Sequence, residues 1–305
     1  VVTKPYVLTL PPGVIHIGED AFANCRLITN VEIPVEIESI GPGAFRNCTA
    51  LSFLSMPSTL TGPFRDIFVN CPALRDLRIR SSGPDASIAT GAFSSMTSLK
   101  HITIFSGVTA IGHSAFEGCT GLETVSIPQS VTSIGGNAFA GCLRVVDIAL
   151  PGGLTSLGPA AFSNCHGLFT MILPDGITEI PDGLFANCVN LSTVELRPGV
   201  TSIGNSAFGG CRSLRSVNLP ATVTDIGSHA FSFCSGLESF DFPPGVSVLQ
   251  AGVLTGCDAL ESVTLPAAVT EVRSGALANC TNLRELRLNA GLKYIQNRAF
   301  ANCPS

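Results

Sequence analysis

The sequence predicts a repeat solenoid of the α/β class, with a parallel β-sheet on its concave side and short helices on its convex side. Three observations carry this. Cysteines stand at 25, 48, 71, 119, 142, 165, 188, 211, 234, 257, 280 and 303, and every gap is 23 residues except that from 71 to 119. Met96 divides that gap into 25 and 23, so one unit of about 23 residues occurs thirteen times, with a two-residue insertion upstream of Met96. A unit this short cannot bury its own apolar face and must stack on its neighbours.

Within the unit, the Cys slot fixes the phase. Three residues before it stands Phe, as in Phe116 or Phe208, replaced by Leu254 and Leu277 in two copies, and Ala commonly precedes that Phe. An aliphatic such as Leu122 follows three residues after the slot. Ala, Phe, Cys and Leu thus recur at i, i+1, i+4 and i+7, the inward stripe of about two helical turns. Aliphatics at +6 and +8, such as Val125 and Ile127, alternate with polar residues as in a short strand with one buried face. Proline at +9, such as Pro128, removes a backbone donor and ends the pairing. Pro-Pro-Gly or Pro-Asp-Gly follows in several copies and suits a type II turn.

Composition narrows the function classes. The chain has 305 residues, 45% of them hydrophobic and 13% charged, which excludes a disordered chain. Apolar runs are too short for a membrane span. A net charge of −5 with no block of like charges offers no field for nucleic acid. The strand pattern of "YVLTLPPGVIHIG" at the amino end lacks its helix, and "AFANCPS" stops before its strand. Residues 1–305 therefore read as a single solenoid domain cut mid-repeat at both ends, a fragment of a longer chain.

The unit "VTSIGNSAFGGCRSLRSVNLP" and its siblings resemble the leucine-rich repeats typified by BspA-like surface proteins and a Treponema repeat protein. The resemblance covers essentially the whole chain. It implies a curved solenoid, a role in adhesion or protein recognition, an extracellular or cell-surface location, and no enzyme activity.

Twelve cysteines invite chemistry. A disulfide framework fits an even count. Cysteines one repeat apart, however, stack about 4.8 Å from each other with parallel side chains, whereas a disulfide needs Cβ vectors turned together. No Cys-x-x-Cys pair occurs, and His16, His101, His113, His166 and His229 sit at scattered phases, so no metal set emerges. Nothing singles out one thiol as a nucleophile, and no cofactor motif is present. The slot reads as a packing position, with all twelve cysteines and Met96 buried. Sequons occur at Asn47, Asn190 and Asn279; the first and last adjoin the Cys slot, which leaves Asn190 as the best glycan acceptor.

Outward positions +5 and +7 are mostly small and polar, as in Thr124 and Ser126. The exception lies near the insertion, where Arg75, Arg78, Arg80, Lys100 and His101 fall within two turns, with Phe53 and Phe105 close by. Arg80 and Phe105 occupy the proline slot, and Pro63 stands where an aliphatic is expected. These seven residues are the candidate partner site, a basic-aromatic surface for a protein or glycan ligand on the sheet face or on the irregular turns near 60–105. The competing reading is a locally paired cluster, with Asp76 and His101 in phase. Two functions follow: a non-enzymatic interaction module at the cell surface, or a scaffold or spacer subunit of a larger assembly, possible in an organelle or the cytoplasm.

Overall fold

The computed structural model describes residues 4–60, 63–83 and 85–303. It divides into two compact units, residues 1–153 and 154–305. Each is a stack of 23-residue turns, and the thirteen slots bound about twelve turns in all.

The first unit holds β1 (Tyr6–Thr9), β2 (His16–Ile17), β3 (Ile28–Glu32), β4 (Ser39–Ile40), β5 (Phe53–Pro57), β6 (Asp76–Arg80), β7 (Ala86–Ile88), β8 (His101–Ile104), β9 (Val108–Ile111), β10 (Thr124–Ser126) and β11 (Ser133–Ile134). Strands β1, β3, β5, β6, β8 and β10 form one parallel sheet in that order. The +6 residues Val31, Leu54, Leu77 and Ile102 and the +8 residues Ile33, Met56, Ile79 and Ile104 all point into the core. A second, shorter ladder pairs β7 with β9 and β9 with β11. The insertion is absorbed in the loop between β6 and β7. The strand register therefore jumps by 25 there, with Asp76 opposite His101, and returns to 23 between His101 and Thr124.

The second unit holds β12 (Ser156–Leu157), β13 (Thr170–Ile172), β14 (Glu179–Ile180), β15 (Thr193–Glu195), β16 (Ser202–Ile203), β17 (Asp225–Ile226), β18 (Val248–Leu249), β19 (Ser262–Thr264), β20 (Glu271–Val272), β21 (Glu285–Arg287) and β22 (Tyr294–Ile295). All pairings between them are parallel, as in β13 with β15, β14 with β16 and β19 with β21.

The short helices expected over Ala-Phe-x-x-Cys do not form. Among the described residues the helical content is one 3-10 turn, Phe64–Asp66, opened by Pro63. The reason lies in the backbone. The residue before the slot is left-handed in all thirteen copies, from Asn24 (φ 65°) to Asn302 (φ 60°). The residue five before the slot is left-handed in every copy but that of Asp66, which sits in the 3-10 turn. Left-handed residues so close together cannot propagate a right-handed helix. What forms instead is a string of turns whose backbone donors alternate. Ser114, Phe116 and Gly118 donate to Gly136, Ala138 and Ala140 of the next turn at 2.7–2.8 Å, while Glu117 and Cys119 close local bonds to Ser114 and Phe116 at 3.2 Å. A helix would keep those bonds to itself, whereas this path shares half of them with its neighbour. The apolar stripe at i, i+1, i+4 and i+7 fits both geometries. Asn or Gly before eleven of the thirteen slots was the signal that separates them.

Asparagine at that position adds a side-chain ladder. Asn47 Nδ2 donates to Asn24 Oδ1 at 3.0 Å and Asn70 Nδ2 to Asn47 Oδ1 at 2.7 Å. Asn302 donates to Asn279 in the same way. Both sequon asparagines beside the slot are thus engaged, whereas Asn190 is exposed and its Nδ2 donates to the carbonyl of His166 at 2.8 Å.

Phe233 breaks this rule. It adopts φ 56° at the same position and is 58% exposed, its ring lying against Gly256 of the next turn. A left-handed residue with a bulky side chain costs roughly 1–2 kcal/mol. Phe233→Asn is therefore expected to raise the unfolding free energy by about 1 kcal/mol in urea titration. A fall would show that the ring's contact with Gly256 outweighs the strain.

The interior is a file of stacked rings. Phe93, Phe116 and Phe139 follow at centroid spacings of 5.4 Å, and Phe162, Phe185, Phe208 and Phe231 at 5.0–5.9 Å. In the irregular turn Phe64, not Phe68, stacks on Phe93, at 4.8 Å. The 3-10 turn thus supplies the ring on which Phe93 stacks, while Phe68 stacks on Phe45 at 5.3 Å.

Candidate partner-binding face

All twelve cysteines are free; ten are buried, and Met96 is buried with them. Cys25 and Cys303 are half-buried, a correction to the expectation that all twelve are enclosed. They occupy the first and last slots, where a neighbouring turn covers one side only.

The slot also carries a hydrogen bond. Ten of the thiols donate to the carbonyl of the Phe or Leu 26 residues upstream, in the preceding turn, as in Cys48 to Phe22 at 3.2 Å, Cys188 to Phe162 at 3.0 Å and Cys280 to Leu254 at 3.3 Å. In Cys71 to Phe45 it is 3.1 Å. Burial away from water pushes the thiols of Cys48, Cys119, Cys188, Cys234 and Cys280 up to about 12. These groups are protonated donors, the opposite of a reactive thiolate. A thiol reagent at pH 8 is expected to modify at most two residues rapidly in the native chain, Cys25 and Cys303. Rapid modification of five or more would contradict the buried ladder.

The seven residues singled out by sequence are drawn apart by the fold. Phe53, Asp76, His101 and Thr124 form one column across β5, β6, β8 and β10, and Ser55, Arg78, Thr103 and Ser126 form the next. These columns make the outward face of the first unit's sheet. The Arg78 guanidinium lies over the Phe53 ring at 5.0 Å from its centroid. Arg78 and Arg75 are exposed, and neither has an ion pair among the described residues. His101 is exposed and its Nδ1 meets Thr124 Oγ1 at 2.9 Å.

Three members go elsewhere. Lys100 Nζ is 2.5 Å from Glu123 Oε1, and Arg144 is 3.9 Å from the same oxygen. The hydrogen bond from Lys100 lowers the Glu123 carboxyl below its usual range. Lys100 is thus a paired surface cation. Arg80 is drawn inward. In the turn after it, Phe105 N–H donates to the carbonyl of Ile79 at 2.9 Å. Pro57 stands at the matching place opposite Ile33 and has no N–H to give. Arg80 Nη2 reaches across two turns to Ile33 O at 2.5 Å and satisfies that carbonyl. Phe105 ends its strand 43% exposed, beside the face but outside its two columns.

The second unit has a groove of about 430 Å³ beside β14 and β16. Its ionisable lining groups are Glu179 and Asp182, and Asp182 Oδ1 already accepts the Asn205 N–H at 2.6 Å. Among the described residues no group of three His, Cys, Asp or Glu side chains is placed to hold a metal ion.

A family model described as the BspA type leucine-rich repeat region matches residues 5–85, 86–215 and 178–305. A leucine-rich repeat protein of Bacteroides ovatus is 25% identical, with a TM-score of 0.63, and the match covers 95% of this chain and 80% of that one. A leucine-rich cell surface protein of Faecalibacterium prausnitzii is 26% identical over 98% of this chain and 84% of its own, with a TM-score of 0.54. The leucine-rich repeat protein of T. pallidum is 33% identical over 52% of this chain and 77% of that one, with a TM-score of 0.49. No curated protein sequence matches the chain.

Proposed function

Because the chain belongs to the BspA-type leucine-rich repeat family, we propose that it is a non-enzymatic interaction module that acts at the cell surface as an adhesion or ligand-binding segment. The fold is a protein-interaction type, and one structural neighbour is named as a cell surface protein. The observation that carries the reading is the outward face of the six-stranded sheet. Inward positions on those strands are consumed by packing, while Phe53, Arg75, Arg78, His101, Thr124 and Ser126 stand outside it. A rigid sheet presenting side chains at fixed spacing suits recognition of an extended macromolecular surface. Its polar, hydroxyl-rich character matches reversible interfaces better than obligate ones.

The test is adhesion itself. Beads coated with the chain are expected to adhere to host cells or extracellular matrix, and beads coated with a variant reversed at Arg75→Glu and Arg78→Glu to adhere markedly less. Equal adherence of both, with the variant folded by its thermal transition, would place recognition elsewhere. Adherence of neither would remove the adhesion reading.

A further inference from the structure

We propose that Arg78, held over Phe53, is the anchor for a single carboxylate side chain of a protein partner. This rests on the reading of the sheet face as an interaction surface and specifies the chemistry that one part of it recognises.

The guanidinium is already oriented. It lies 5.0 Å from the Phe53 centroid, an aromatic contact that limits its rotamers without using its N–H donors. Phe53 and Arg78 are diagonal neighbours: Phe53 opposes Asp76, and Arg78 opposes Ser55 on one side and Thr103 on the other. Residues with hydroxyl side chains therefore flank Arg78 on both adjacent strands, and Ser55 is 4% exposed. A planar fork with hydroxyl neighbours matches the bidentate geometry of a carboxylate. Arg75, just before β6, adds a second exposed cation with no ion pair among the described residues.

The surroundings limit how much negative charge can land there. Asp76 lies two residues from Arg78 on the same face of β6, and Glu32 lies two strands away in the same column. A polyanion such as a sulfated glycan would meet these carboxylates with every added charge. An isolated Asp or Glu in an otherwise neutral segment meets the guanidinium and little repulsion. The charge pattern thus selects one carboxylate on a protein over a polyanionic chain.

The experiment uses the whole chain, immobilised and panned with a display library of random dodecapeptides. Selected peptides are expected to carry Asp or Glu at one shared position. Changing that residue to Asn or Gln should weaken binding at least tenfold in fluorescence anisotropy. Arg78→Lys should weaken the acidic peptide by a similar factor, and the two changes together should cost little more than either alone. Phe53→Leu should weaken binding several-fold by releasing the guanidinium. A heparin-derived oligosaccharide should compete poorly. Equal affinity of acidic and amide peptides, unchanged binding by Arg78→Gln, tighter binding of the oligosaccharide than of the peptides, or a library that yields no binder would each overturn the proposal. Peptides that bind this face without a carboxylate preference would overturn the anchor and leave the interaction-module reading standing. Failure of the bead assay would remove that reading on its own terms.

Discussion

Raising the pH from 9 to 11 is expected to unfold the protein over a narrow interval, with a steepness set by the thiol ladder. In the unfolded chain a cysteine ionises at about 8.5 to 9. In the fold, removal from water raises Cys71 to about 11, raises Cys48, Cys119, Cys188, Cys234 and Cys280 to about 12, and raises Cys211 and Cys257 well above 9.0. Below pH 9 the thiols are neutral in both states and the packing they provide is fully present. Above it the unfolded chain releases protons that the folded chain retains, so stability falls until the folded thiols themselves ionise. Each thiol contributes about 1.4 kcal/mol per pH unit in that window. Eight together give roughly 11 kcal/mol per unit, the size of a whole domain's stability. Circular dichroism against pH should show a transition releasing at least eight protons if the units melt together, and at least five if the second melts alone. Replacing Cys188, Cys211 and Cys234 by Ala should remove about three of them, whatever it does to the midpoint at neutral pH. A fold indifferent to pH up to 10.5 would contradict the burial of these groups.

Truncating the ring file is the second large effect. Phe208 is fully buried between Phe185 at 5.5 Å and Phe231 at 5.0 Å. Phe208→Ala is expected to cost about 3–5 kcal/mol, because the stacked backbones above and below cannot close over the void. In a unit of about 150 residues that corresponds to roughly 10 °C or more in thermal midpoint. Phe208→Leu should cost less than about 1.5 kcal/mol. The chain itself contains the precedent, since Leu254 and Leu277 fill the same slot and are fully buried. A calorimetric scan of the two variants decides the point. Equal midpoints would mean that the slot selects for hydrophobicity alone and not for volume.

The repeat period, the strand positions and the inward residues were all legible from spacing, because a period of 23 dictates which side chains stack. The Phe file and the burial of Met96 followed from the same alignment. The helices did not survive. Spacing reports which residues face inward, and both a helix and a string of turns place Ala, Phe, Cys and Leu on one side. Only the backbone angle at Asn24, Asn47 and their equivalents distinguishes the two, and that is encoded in residue type at one position, not in periodicity. The basic cluster near the insertion was visible as composition. Its division was not, because it depends on partners far away in sequence. Glu123 takes Lys100 from 23 residues off. Ile33 claims Arg80 from 47 residues off, through a vacancy that Pro57 creates. The placement of Arg78 over Phe53 likewise follows from a 23-residue register that puts their strands side by side.

The thiol bonds also give the stack a direction. Backbone N–H groups of the turn strings donate forward, as Phe116 does to Ala138, whereas the thiols donate backward, as Cys119 does to Phe93. Each turn is therefore a latch closed from both sides, but with unlike parts. Damage to one turn's carbonyl path releases the cysteine of the turn after it, while damage to its thiol leaves that following cysteine held. Alkylation of individual cysteines during gentle unfolding would then read as a sequence of clicks along the chain. Their order would tell which end of a unit opens first.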